Sequence, residues 1–101
     1  MAAHSAELRI RADEPGADGH FPGNPIVPGA VLLREILRII AGDGEAMCRE
    51  IRSARFFQPV RPGEGLTVRW VTQEDGDIGF TCTTGTAGQR VLSGTVRMQA
   101  R

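Results

Sequence analysis

The chain has 101 residues, with 12 Lys plus Arg, 12 Asp plus Glu and a formal net charge of zero. Balanced charge argues against a chain built to attract nucleic acid or an anionic membrane surface, and no apolar run approaches the length of a membrane span. An apolar fraction of 41% and a charged fraction of 24% fit an ordinary globular protein. The length fits one domain over residues 1–101, close to the lower limit for a self-sufficient core. Every basic residue is arginine, and tyrosine is absent. That reads as compositional bias before it reads as function. Cys48 and Cys82 lie far apart and match no metal-ligand spacing, so no metal is expected and reduced packing thiols are the simplest reading. The N-terminus lacks the apolar core of a signal peptide, which makes a cytoplasmic location the default.

Residues 1–5 read as a loose terminus. Residues 7–12 alternate polar and apolar, as a half-buried strand does. Pro15 and Gly16 mark residues 13–18 as loop. The pattern then changes. Between Ala30 and Ala41, each residue falls about 100° after the last on a helix. This sets Leu32, Leu33, Ile36, Leu37, Ile39 and Ile40 on an arc of roughly 160°. Arg34, Glu35 and Arg38 fill the opposite narrow face, with Val31 among them. Gly42, followed by Asp43 and Gly44, supplies the stop.

The rest reads as strands. Residues 46–60 are mixed, with apolar residues gathered at Phe56, Phe57 and Val60. Arg61-Pro62-Gly63 is a turn. Leu66, Val68 and Trp70 alternate with Thr67, Arg69 and Val71. Asp75-Gly76 signals a tight hairpin. Ile78, Phe80 and Cys82 then alternate with Gly79, Thr81 and Thr83. A turn around Ala87-Gly88 leads to a last strand over residues 91–98. Strand, loop, helix and about four strands make an α+β fold, with one long helix on an antiparallel sheet. A sheet with a single helix leaves surface uncovered, so a dimer is expected.

Chemistry concentrates in residues 19–33. About half of the loop from Gly19 to Gly29 is glycine or proline, which specifies its path. Pro28 stands at the first helical position or just before it. The backbone N–H groups that follow, from Gly29 on, have no partner within the helix and form its positive end. His20 and this terminus belong to one constrained unit. That pairing suits base chemistry beside a developing oxyanion. A lone loop histidine would otherwise read as a surface residue, and His4, which has no such context, reads as falling in the disordered terminus.

The stretch Gly19-His20-Phe21-Pro22-Gly23-Asn24-Pro25-Ile26-Val27-Pro28-Gly29 resembles the hallmark of the hotdog-fold (3R)-hydroxyacyl–acyl carrier protein dehydratases and matches every fixed position. A weaker match continues through Ala54-Arg55-Phe56, Pro59-Val60 and Pro62-Gly63. In size the chain is similar to the small accessory dehydratases of aryl-polyene and secondary lipid pathways. The resemblance implies a dimeric hotdog fold and a hydro-lyase acting on acyl thioesters. Their carrier would be the phosphopantetheine of an acyl carrier protein or coenzyme A, with no other cofactor. It implies His20 as base, the Gly29 N–H as oxyanion donor and Phe21, Pro28 and Val31 as substrate contacts. Phe21 has the stronger claim as a loop anchor.

The family places its acid, Glu or Asp, five residues after the last glycine of the motif. Here that residue is Arg34, which stays protonated and is too weak an acid for turnover. Glu35 is the adjacent carboxylate, turned about 100° away on a helix. Three readings follow: a dehydratase with another acid, a non-catalytic acyl-binding or partner hotdog subunit, and an acyl thioesterase. The assembly would be a homodimer or a heterodimer with a hotdog paralogue. Arg49, Arg52 and Arg55 form a basic run that suits an acidic carrier protein as well as an exposed strand face.

Overall fold

The computed structural model describes residues 3–11, 26–42 and 46–100. In chain order it contains β1 (Ala3–Arg9), α1 (Gly29–Ala41), β2 (Ala46–Phe56), β3 (Gly65–Thr72), β4 (Ile78–Thr84) and β5 (Arg90–Ala100). The five strands form one antiparallel sheet in the order β1-β3-β4-β5-β2. The expected α+β architecture, one long helix on an antiparallel sheet, is therefore present. Its first two strands are the two edges, so the connection carrying α1 crosses the sheet from one edge to the other.

Register decides which side chains meet the helix. Leu66 pairs with Thr84, Val68 with Cys82, and Cys82 with Leu92, while Ile78 pairs with Val96. Directly opposed residues share a face, and alternate residues return to it. That face is apolar. Leu66, Val68, Cys82, Leu92 and Val96 are fully buried there with Val31, Leu32 and Ile36 of α1. The other face carries Arg69, Thr81 and Ser93 at matching positions.

Two expectations are corrected. Ala3 to Ser5 are not a loose end. β1 runs Ala3–Arg9, paired along its length from Ala3 opposite Val71 to Arg9 opposite Gly65, because β3 offers it a complete ladder. Arg9 also donates to the Gly63 carbonyl, and the Gly63 N–H donates to Ile10 O at 2.8 Å. Val31 does not share the polar face of α1. It is buried in the same cluster as Val27 and Val60, since segments before and after the sheet crossing cover the first turn of the helix from a second side.

The helix ends behave as the sequence implies. Pro28 is the N-cap, with φ −59° and ψ 141°, and Gly42 closes the helix at φ 69°. The Gly42 N–H donates to Arg38 O and Ile39 O. At the β3–β4 hairpin Gly76 has φ 89°, which a side chain would resist. Next to it lies Asp77, a carboxylate only 2% exposed. Its Oδ1 accepts from Arg97 Nε at 2.9 Å and its Oδ2 accepts from Arg52 Nε at 2.9 Å. A buried charge requires such partners. The hydrogen bond to Asp77 in turn raises the Arg97 pKa. Arg52 falls at a register shift in β2, between Ile51 and Ser53, so the irregular edge strand is pinned across β5 to β4.

Two outcomes test this packing. Ile36→Ala, at a fully buried position, is expected to cost about 3 kcal/mol in urea denaturation, and a loss below about 1 kcal/mol would contradict it. Burial pushes the Cys82 thiol up to about 11, whereas Cys48 is half-buried. At pH 8 roughly one part in a thousand of Cys82 is thiolate, so iodoacetamide should modify Cys48 and spare Cys82 until the chain is unfolded, as read by peptide mass mapping.

Candidate functional site

The helix terminus is held in place from two directions. The Val27 N–H donates to Val60 O at 2.7 Å, which ties the residues entering α1 to those leaving β2. The first helical donors with acceptors are Val31 and Leu32, both to Pro28 O. Among the described residues, the Gly29 and Ala30 N–H groups have no acceptor. They are the positive end that the sequence predicts.

Gly29 has a second reason to be glycine. A Cβ there would lie 2.8 Å from Phe56 Cε1 and 3.0 Å from Cζ. The Phe56 ring thus rests on the helix terminus, although 51% of the residue is exposed. Gly29, Leu32, Phe56, Phe57 and Val60 line a concavity of about 400 Å³ around this contact. Sequence reading placed Phe56 in the weak continuation of the motif and gave it no role. Its pairing with Leu92 of β5 sets it on the helix-facing side of the sheet.

A second groove, of about 490 Å³, runs between α1 and β2. Ala30, Leu33, Leu37 and Ala41 form its helical wall at i, i+3, i+7, i+11 spacing, and Cys48 and Ile51 belong to the opposite wall. The apolar arc of α1 therefore serves two surfaces. Leu32 and Ile36 enter the core, while Leu33 and Leu37 face this groove. A larger concavity, of about 680 Å³, involves Arg69, Thr81 and Ser93 of the outer face and does not include the helix terminus.

Arg34 and Glu35 sort as their 100° separation demands. Arg34 lines the groove beside α1, and Glu35 does not. Glu35 Oε2 accepts from Arg34 Nε and Arg38 Nη1, each at 3.0 Å, and its side chain is 15% exposed. Both contacts turn the Glu35 carboxylate along the helix surface and away from the groove. Pro28 is half-buried at the N-cap. Val31 is buried and lines neither groove. His20 and Phe21 lie outside the described residues. Among the described residues no group of three or more His, Cys, Asp or Glu could hold a metal, and no helix is long and apolar enough to cross a membrane.

One helix crossing an antiparallel sheet from edge to edge, its N-terminus presented beside an apolar groove, defines a hotdog-fold protein. The chain belongs to the ApeI-like dehydratase family, whose model matches residues 1–95. It is 35% identical over 75 residues to the 3-hydroxyacyl-[acyl-carrier-protein] dehydratase FabZ of Chlamydia trachomatis serovar L2, a match covering 63% of this chain and 49% of that protein. The chain thus spans about half the length of the curated relatives it matches. Among solved structures, the dehydratase heterocomplex ApeI:P from Xenorhabdus doucetiae is similar with a TM-score of 0.78 and 18% identity, covering 98% of this chain and 88% of that one. The (R)-hydratase from A. caviae involved in PHA biosynthesis has a TM-score of 0.70 and 20% identity, covering 99% and 95%. These two likenesses concern the fold. The resemblance read from the motif is borne out at the level of family.

The contact at the helix terminus gives a double-mutant test. Gly29→Ala should lower stability by about 1 kcal/mol, because the Phe56 ring must move aside. In a Phe56→Ala background the same change should be neutral or slightly stabilising, since alanine is the better helix former. Equal effects in both backgrounds, measured by denaturant unfolding, would rule the contact out.

Proposed function

We propose that the chain contributes the basic half of a (3R)-hydroxyacyl-thioester dehydratase site. The observation that carries this reading is the helix terminus at Gly29, whose N–H has no acceptor among the described residues and which lines an apolar concavity with Phe56 and Phe57. His20 removes the α-proton of the thioester. The Gly29 N–H receives the negative charge that develops on the thioester oxygen, where a fixed donor lowers the barrier. The electron pair left at the α-carbon then forms the double bond as the 3-hydroxyl departs. That oxygen must be protonated as it leaves.

Neither helix residue suits that last step. Arg34 is too weak an acid, and Glu35 lines neither groove and is engaged by Arg34 and Arg38. We therefore assign the acid to a second hotdog chain. β2 is a free edge with exposed Met47 and Ile51 beside the apolar groove, which favours a partner there. A homodimer would set Arg34 across from His20. A heterodimer whose partner carries a carboxylate at the matching helix position would have one complete site. The heteromeric assembly of the structurally similar ApeI:P complex supports this form of the reading. The partner and carrier would be a hotdog paralogue and an acyl carrier protein. A second reading, a non-catalytic acyl-binding subunit, is favoured by Arg34 alone.

Complementation within this one sequence tests the assignment. Wild type and the double variant His20→Ala/Arg34→Glu are each expected to be inactive on a 3-hydroxyacyl–carrier protein. Mixed and allowed to exchange subunits, they should gain water loss detectable by mass spectrometry, at least about a hundredfold above either alone. Sustained activity of the wild type alone would remove the heteromeric assignment. Inactivity of the mixture, with exchange confirmed by native mass spectrometry, would leave the acyl-binding reading.

A further inference from the structure

The face of the sheet turned away from α1 carries the concavity of about 680 Å³, which takes no part in the reaction above. Its floor follows from register. Arg69 stands opposite Thr81, Thr81 opposite Ser93, and Ser93 opposite Arg55. These four side chains form one row across β3, β4, β5 and β2, cationic at both ends and hydroxylic between them. Three interstrand steps of about 4.8 Å set the two arginine Cα atoms roughly 14 Å apart.

The next row on the same face continues the floor. Thr95 stands opposite both Ser53 and Gly79. A Cβ on Gly79 would lie 2.7 Å from Gln73 Nε2, so the Gln73 amide lies over bare backbone there. Both arginines, the amide and the hydroxyls can all donate hydrogen bonds into this space. Among the described residues, no carboxylate lines it.

Other arginines of the chain are neutralised. Arg34 and Arg38 share Glu35, and Arg52 and Arg97 share Asp77. Among the described residues, neither Arg55 nor Arg69 has a carboxylate partner. Arg55 instead lies 5.8 Å from the centroid of the Phe57 ring, which also takes Arg90 at 4.5 Å. A chain of zero net charge thus gathers positive charge on this concavity. A second copy stacked on it would oppose like charges, whereas an anion would be drawn in.

We propose that the outer-face concavity binds a phosphate chain, the chemistry shared by inorganic polyphosphate and nucleoside triphosphates. Each phosphate offers several acceptor oxygens, which a guanidinium fork takes in pairs and hydroxyls take singly. The charge of a phosphate chain is spread along a line, as the row from Arg69 to Arg55 requires. A planar carboxylate offers two oxygens and would leave the hydroxyls between the arginines unused. The site lies across the sheet from Gly29, so it stands or falls independently of the dehydratase reading.

Calorimetric titration of the full chain tests it, with tripolyphosphate, ATP and citrate as probes. Wild type should bind tripolyphosphate, with affinity falling as salt rises. Both arginines are exposed, and Arg55→Ala and Arg69→Ala should each weaken that binding about tenfold. Ser93→Ala should weaken it about threefold, an effect that loss of charge alone does not explain. Arg49→Ala removes an equal charge from an exposed position outside the concavity. It should change affinity by less than about twofold, because a distant exposed charge is screened. ATP binding more tightly than tripolyphosphate, with the same losses in both arginine variants, assigns the site to a nucleotide. ATP binding no more tightly assigns it to the phosphate chain alone. Citrate binding as tightly as tripolyphosphate would overturn the proposal. So would an Arg49→Ala loss equal to that of Arg69→Ala, unchanged affinity in both arginine variants, or no binding to wild type.

Discussion

The burial of one helix against one face of the sheet is the constraint on which everything else hangs. Leu32 and Ile36 meet Leu66, Val68, Cys82, Leu92 and Val96, and a chain of this length has little else from which to build a core. Because β1 and β2 are the two edges, the segment joining them has to cross that face. Its crossing point fixes the helix terminus. The Val27–Val60 hydrogen bond and the contact of Phe56 with Gly29 then hold the terminus relative to the end of β2. Packing and chemistry are coupled here: whatever loosens the helix also moves the donor at Gly29.

The same helix serves three surfaces. Its buried stripe makes the core, its Ala30–Leu33–Leu37–Ala41 stripe walls the groove beside β2, and its N-terminus offers donors that have no acceptor among the described residues. β2 is fixed at two places. Near its middle, Arg52 reaches the buried Asp77, which ties an irregular edge strand to the β3–β4 hairpin. At its C-terminal end, Phe56 rests on the helix while Phe57 collects Arg55 and Arg90. The edge held at both places exposes Met47 and Ile51.

Much of this was legible in the residues. The alternation of Leu66, Val68 and Trp70, the Asp75-Gly76 turn and the arc from Leu32 to Ile40 named the elements, because period and turn chemistry are local properties. The Pro28–Gly29 start and the Gly42 stop were legible for the same reason. Ala3 to Ser5 were not, since they carry little pattern of their own and are strand only because β3 lies beside them. Val31 was misplaced because a helical wheel knows one covering surface, and the first turn of α1 has two.

The sequence by itself determined the element order, the motif and the conflict at Arg34, where a permanent cation stands in place of an acid. Those depend on residue identity and spacing along the chain. Only the tertiary structure decided that Gly29 yields to the Phe56 ring, that Arg52 and Arg97 meet on Asp77, and that Arg90 reaches Phe57. Each of these joins side chains whose meeting depends on rotamers, strand register or the placing of a helix across a sheet. No local pattern encodes such meetings.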